Sequence, residues 1–263
     1  MCIVALAWQV LPDLPLCLIS NRDEFYARKS LSLHEWQSGI FAGQDEQAHG
    51  TWMGVTRAGR WAVLTNHRNG LDKTTYATSR GHLVAQYLQS DVSPMAFGRS
   101  LSPSFKQFAG FNLIIGDRQQ AVYISNRGDG IELLAHGVHV VSNNLKSEHW
   151  HKCAHLRQRF VQELLPIAQS TQYEKLNDLS DALSPIAWQL LEDDRQLPDD
   201  KLPNTGIDDT WEKMLSSTFI ASNHYGTRVS NLLLMSQNSL HWQEKSQHGD
   251  DRGQIAQVQF SLD

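Results

Sequence analysis

The stretch Met1-Cys2-Ile3-Val4-Ala5-Leu6-Ala7-Trp8, then the turn Pro12-Asp13-Leu14-Pro15, then Leu16-Cys17-Leu18-Ile19-Ser20-Asn21-Arg22-Asp23-Glu24, decides how this chain is read. Two nearly unbroken apolar runs separated by a turn indicate strands buried on both faces. Directly after the second run stand four polar or charged residues, Asn21 to Glu24. A charge placed beside a core requires a partner, so this tetrad marks either a functional site or an internal ion pair that closes a loop. The same opening places a cysteine at position 2. Methionine aminopeptidases act when the second residue is small, and removal of Met1 would leave a thiol and a free α-amine on one residue. The amine's ordinary pKa of about 7.7–8.0 lies below the thiol's, about 8.5. Residue 2 would then hold both nucleophile and base, as terminal threonine enzymes do. The alternative is a small apolar residue at the edge of a buried strand.

Outward from this stretch the pattern alternates between periods. Thr51 to Thr65 reads as a hairpin around Thr56-Arg57-Ala58-Gly59, and Arg80 to Gln89 as a helix with Leu83, Val84, Tyr87 and Leu88 on one face. Strand-like runs follow between Gly110 and Val141. Helices are expected at Trp150 to Ile167, from Leu156, Phe160 and Leu164, and at Tyr173 to Leu183. Leu191 to Asp209 is rich in Asp and Pro and reads as a solvated loop, after which period two returns in STFIAS, TRVSNLLLM, SLHWQEK and QIAQVQFSL. Strands, then helices, then strands again indicate an α+β layered fold rather than βαβ units. No linker separates the two ends, so residues 1–263 are expected to form one domain.

Composition narrows the function. The 263 residues carry a net charge of −5, with 41% apolar and 19% charged side chains, an ordinary soluble balance that lacks the basic stripe of a nucleic-acid binder. Three cysteines are too few for a disulfide framework, and a reducing cytoplasmic location is expected. The apolar opening has no basic flank and is interrupted by Gln9, Pro12, Asp13 and Pro15, which fits neither a signal peptide nor a membrane span.

Several polar residues also end apolar runs: Asn66 after RWAVLT, Asn143 after GVHVVS, and Arg228 at the start of TRVSNLLLM. Amide side chains in such places can donate to a developing oxyanion, and they are equally ordinary turn chemistry. The heptapeptide His149-Trp150-His151-Lys152-Cys153-Ala154-His155 offers imidazole and thiolate ligands. On a helix, His151 and His155 share one face while His149 and Cys153 share another, so the four cannot converge on one ion. No metal and no cofactor is expected, since neither C-x-x-C-H nor a P-loop motif is present.

Met1-Cys2-Ile3, Asn21-Arg22-Asp23-Glu24-Phe25-Tyr26, Gly50-Thr51-Trp52-Met53-Gly54, Leu64-Thr65-Asn66, Ser79-Arg80-Gly81, Gly110-Phe111-Asn112-Leu113, Asn126-Arg127-Gly128, Ser142-Asn143 and Tyr225-Gly226-Thr227-Arg228 occur in this order. Together they resemble the NRDE family, also called the transport and Golgi organisation protein 2 family, over nearly the whole chain. That family is grouped with the N-terminal nucleophile hydrolases. The resemblance therefore implies a four-layer αββα sandwich and an amidohydrolase attacking a carbon–nitrogen bond of a small molecule. It implies Cys2 as nucleophile, Arg22 and Asp23 setting its charge state, Asn66 and Asn143 contacting oxyanion and amine, and Arg228 completing the polar floor. A low-pKa, exposed Cys2 would react with thiol probes below pH 8.5. The same resemblance implies an alternative, a non-catalytic carrier of haem or another hydrophobic metabolite, since eukaryotic members are associated with haem mobilisation. The histidine-rich helix start around Trp150 and Lys152 is where this chain departs from the family pattern.

Overall fold

The structure, a computed structural model, describes residues 2–128, 130–146 and 150–263. In chain order the first strands are β1 (Cys2–Leu11), β2 (Leu14–Phe25), β3 (Ser30–Glu35), β4 (Ile40–Asp45), β5 (Met53–Thr56) and β6 (Trp61–Asn66). Helices α1 (Gly81–Gln89) and α2 (Pro94–Leu101) precede β7 (Phe111–Gly116), β8 (Ala121–Ser125), β9 (Ile131–Leu133) and β10 (Gly137–Val141). Then come α3 (His151–Arg159), α4 (Leu165–Ser170), α5 (Leu176–Leu191) and α6 (Asp209–Met214), and finally β11 (Tyr225–Met235), β12 (Ser239–Ser246) and β13 (Ile255–Ser261).

One sheet has the order β10-β1-β2-β11-β12-β13, and the other runs β3-β4-β5-β6-β7-β8-β9. Each named pairing is antiparallel. Because side chains alternate across a strand, each central strand feeds two cores. Val4, Leu6, Trp8, Leu16, Leu18 and Leu233 pack between the sheets against Trp61, Val63, Ile114 and Tyr123. Ile3, Ala5, Ala7, Cys17, Ile19 and Leu232 pack on the other side, against Leu156, Phe160, Leu179, Leu183 and Leu190 of the α3 to α5 layer. The second sheet is covered by α1 and α2 through Leu83, Val84, Tyr87 and Phe97. The layers are therefore α, β, β, α, the sandwich expected above. Among the described residues no helix is long and apolar enough to cross a membrane.

Four local differences from the sequence reading have physical causes. The second apolar run does not end before the polar tetrad, since β2 carries Asn21 to Glu24 as part of the sheet. The long helix expected from Trp150 passes through a π turn at Phe160–Leu164, where Leu165 N–H bonds the Phe160 carbonyl. Pro166 follows in the next turn and cannot supply the amide that a regular helix would need there. The helix expected at Tyr173 to Leu183 begins later, at Leu176, where Asp178 accepts from the Lys175 amide, and it continues past Pro185 to Leu191. Ser217, Thr218 and Ile220 of STFIAS are buried, but the segment forms no named strand; Ser217 Oγ bonds the Met214 and Phe219 carbonyls and turns it instead.

Candidate functional site

Register places the chemistry. Cys2 of β1 pairs with Arg22 of β2, so their side chains leave the same face of the sheet. Alternation divides the polar tetrad: Arg22 shares the face of Leu16 and Leu18, between the sheets, whereas Asn21 and Asp23 share the face of Cys17 and Ile19, toward the helices. Asn21 is fully engaged, donating to the carbonyls of Leu191 (2.8 Å) and Thr218 (3.0 Å) and accepting from Ser230 Oγ (2.7 Å). Asp23 accepts from Thr227 Oγ1 at 2.8 Å, and its own backbone N–H donates to the Cys2 sulfur.

Cys2, Arg22, Asp23 and Glu24 line a cleft of about 80 Å³ at the end of the two sheets, together with Arg28, Asp45, Trp52, Asn66 and Arg80. Its wall contains a close backbone approach. A Cβ on Gly50 would lie 2.6 Å from the Gly81 carbonyl carbon, so only glycine lets these segments meet. The Arg22 guanidinium stacks 4.2 Å from the Trp52 ring centroid and reaches Asp45 with Nη2 at 3.4 Å, while Nη1 is buried without a hydrogen-bond partner among the described residues. Asp45 is already held by Arg28 at 2.6 and 3.1 Å and by the Ala48 amide. Burial opposes its ionisation, but these hydrogen bonds hold its carboxyl below the usual range. Arg22 therefore keeps an unspent donor beside Cys2.

Asn66, at the end of β6, lines the cleft. Asn143 lies behind it, donating from Nδ2 to the Asn66 carbonyl at 2.9 Å and accepting from Ser142 Oγ at 3.3 Å. Ser142 Oγ also bonds the Cys2 carbonyl at 3.0 Å. The carbonyl of Ser142 accepts from Thr65 Oγ1 and Asn112 Nδ2, and Tyr123 hydroxyl fixes Asn112 from the far side. The two sheets thus clamp the backbone of Cys2. Arg228 lies outside the cleft lining. The β2 to β11 register slips between Thr227 and Val229, so Arg228 is the extra residue of a bulge, and a bulge re-aims its side chain. Its guanidinium donates instead to the Phe25, Tyr26 and Arg28 carbonyls.

Trp52 and Arg80 stood in recurring sequence motifs without a role. Arg28 and Asp45 flank strands β3 and β4, whose weak periodicity gave no signal. Lys152, in the first turn of α3, is buried and donates to the Leu215 carbonyl at 2.9 Å. Within the histidine-rich stretch, His155 faces Asp193 at 3.1 Å, Cys153 is half-buried against the helix-side core, and His151 is exposed. Met1 and His149 lie outside the described residues.

Electrostatics match the buried small residue given above as the alternative for Cys2, not an exposed, low-pKa thiol. Cys2 is 8% exposed, and burial pushes its thiol up from the ordinary value, so it is a neutral thiol at pH 7. Burial likewise raises the Asp23 carboxyl. Burial lowers the Lys152 ammonium to about 8, helped by the nearby Arg68. Cys17 and Cys153 are pushed up by burial to about 12 and about 11. Iodoacetamide is expected to label Cys2 of the folded chain at pH 7 more slowly than a free cysteine, with normal labelling restored on unfolding; peptide-resolved mass spectrometry reads both.

Glu244 of β12 crosses to the other sheet and accepts from the Leu33 amide at 2.8 Å, with Oε2 unpartnered. Burial raises its carboxyl from 4.5 to about 7. The folded chain therefore holds this proton between those two pH values, while the unfolded chain releases it, so stability falls as pH rises through that window. The loss is on the order of 2–3 kcal/mol. Glu244→Gln should remove this slope, so the variant's stability relative to the native chain grows between pH 4.5 and 7 in denaturant titrations.

The sequence model described as Transport and Golgi organisation 2 matches residues 1–248. The Transport and Golgi organization protein 2 homolog of Bos taurus is 31% identical over 255 residues, spanning 90% of this chain and 88% of the relative. The Homo sapiens homolog is 30% identical over 235 residues, spanning 84% and 82%. Among solved structures, the C2A mutant of conjugated bile acid hydrolase from Clostridium perfringens is 9% identical, with a TM-score of 0.46, covering 97% of this chain and 92% of that one. An N-acylethanolamine-hydrolyzing acid amidase ortholog of Caenorhabditis elegans is 12% identical, with a TM-score of 0.43, covering 69% and 85%. With its family model matched from the first residue to the 248th, the chain belongs to the Transport and Golgi organisation 2 family.

Proposed function

We propose that this chain is an N-terminal cysteine hydrolase that cleaves the carbon–nitrogen bond of a small-molecule amide. The supporting observation is the pairing of Cys2 with Arg22 on one sheet face, lining one polar cleft, with Arg22 Nη1 unspent. Because Cys2 is held as a neutral thiol, it needs a base at the moment of attack. Its own α-amine, free once Met1 is removed and with an ordinary pKa of about 7.7–8.0, is the base within reach of the same residue.

In this reading Sγ gives its proton to the α-amine and forms a bond to the carbonyl carbon. The carbonyl oxygen gathers negative charge, which the Asn66 amide and the spare Arg22 donor stabilise. The carbon–nitrogen bond then breaks, and the α-ammonium returns the proton to the leaving amine. A water attacks the thioester through the same base, releasing the carboxylic acid and restoring the thiol. Asp23, beside the terminus on the helix side, orients the amine. The haem-carrier alternative gains no support from this cleft, since its volume of about 80 Å³ falls well below the roughly 300–1,000 Å³ of sites for drug-sized ligands.

The test is amine release from a panel of N-acyl amino acids and N-acyl amines, followed by mass spectrometry. At least one member should be turned over by the native chain and far more slowly by Cys2→Ser. Release from none, or equal release by Cys2→Ser, overturns the assignment.

A further inference from the structure

A second cavity, of about 200 Å³, lies at the start of α3, away from the cleft that Cys2 lines. Its walls combine three cations, Arg68, Lys152 and Lys201, with the apolar faces of Trp150, Leu197 and Pro203. Two of the cations are buried side by side: the Arg68 side chain is 4% exposed and Lys152 is 6% exposed. Both turn to one acceptor, the Leu215 carbonyl, with Lys152 Nζ at 2.9 Å and Arg68 Nη2 at 3.5 Å.

Among the described residues, the carboxylate of Glu212 pairs with Arg68. Its Oε2 accepts from Arg68 Nη1 at 2.7 Å, while its Oε1 is spent on the backbone amide and hydroxyl of Thr205. The Asp23 carboxylate also acts electrostatically on both cations. Among the described residues, Arg68 Nε is buried with no hydrogen-bond partner. Trp150, the N-cap of α3, provides no capping side chain, so the first turn adds the positive end of a helix to the same wall. Arg68 Nε is thus a buried cationic donor that an anion entering the cavity would satisfy.

We propose that this cavity binds a small carboxylate with an apolar body. Its carboxylate oxygens would accept from Lys152 Nζ and from the unspent Arg68 Nε, and its apolar part would rest on Trp150, Leu197 and Pro203. Lys201, on the exposed rim, adds attraction at the entrance. The proposal does not require Cys2 to be a nucleophile.

Benzoate is the probe, titrated calorimetrically into the full chain, with benzamide as its neutral counterpart. The native chain and Cys2→Ala should both show one saturable benzoate site and no benzamide binding. Lys152→Met and Leu197→Trp should each weaken benzoate at least tenfold, the second by filling the cavity without touching a buried charge, which keeps the test decisive if Lys152→Met fails to fold. Benzoate that does not saturate, that binds the Leu197→Trp chain as tightly as the native one, or that is matched by benzamide overturns the proposal. Loss of the site in Cys2→Ala would place benzoate in the catalytic cleft and overturn it equally.

Discussion

Cys2→Ala is expected to abolish amide turnover, lowering kcat by at least about 10³-fold, since removal of a covalent nucleophile leaves only the residual effect of binding and oxyanion contacts. The fold should survive. Cys2 is a small side chain at the first position of β1, and its backbone carbonyl, which Ser142 Oγ holds at 3.0 Å, is retained in the variant. Stability is therefore expected to change by no more than about 1 kcal/mol. Cys2→Ser keeps both the geometry and the α-amine but substitutes a far less acidic hydroxyl, so residual turnover above Cys2→Ala is consistent with the same base. The measurement is kcat for any amide that the native chain cleaves, paired with a thermal melt of each variant.

The largest effect on stability is expected at Arg68. It forms a buried ion pair with Glu212 at 2.7 Å, with side chains 4% and 2% exposed, and it stacks 4.7 Å from the Trp150 ring centroid. Arg68→Met leaves the Glu212 carboxylate buried without its cation, which costs about 3–5 kcal/mol. At about 2–4 °C per kcal/mol for a chain of this size, the melting temperature should fall by roughly 6–20 °C. Arg68→Met combined with Glu212→Gln should recover a good part of that loss, because the uncompensated charge is gone. A double variant no more stable than Arg68→Met would show that stacking and packing of the guanidinium, rather than its charge, hold this region.

How much of this was legible in the residues follows from where each residue finds its partner. The continuous apolar runs of β1 and β2 have only local requirements, and period alone identifies them as strands buried on both faces. The αββα order came from the family resemblance, and the composition of the cores confirms it. The polar tetrad is different, because Asn21 is satisfied within the sheet by partners 170 to 209 residues away, the Leu191 and Thr218 carbonyls and Ser230. Nothing local in Asn-Arg-Asp-Glu states that such partners exist. Arg228 shows the opposite failure. The family resemblance implied a place for it on the polar floor of the cleft, but a one-residue bulge sends its side chain to backbone carbonyls.

Asn66 and Asn143 were read as equivalent strand ends, and the fold makes them unequal. Asn66 lines the cleft, while Asn143 is consumed in tying β10 to β6. Lys152 was visible only as part of a helix start, since a buried lysine cannot be told from a surface one by its spacing. Its carbonyl partner comes from Leu215, 63 residues further on. The protonation state of Cys2 was not legible for a similar reason: a neighbouring Arg22 could lower the thiol's pKa, but burial outweighs the guanidinium and leaves a neutral thiol. That outcome shifts the burden of activation onto the α-amine and thus onto loss of Met1.

Intact-mass analysis of active protein, before and after inactivation by an acylating amide analogue, tests this account most directly. The predicted result is a chain lacking Met1, with a single acyl adduct that peptide mapping assigns to Cys2. Active protein that retains Met1, or an adduct on Cys17 or Cys153, would contradict it.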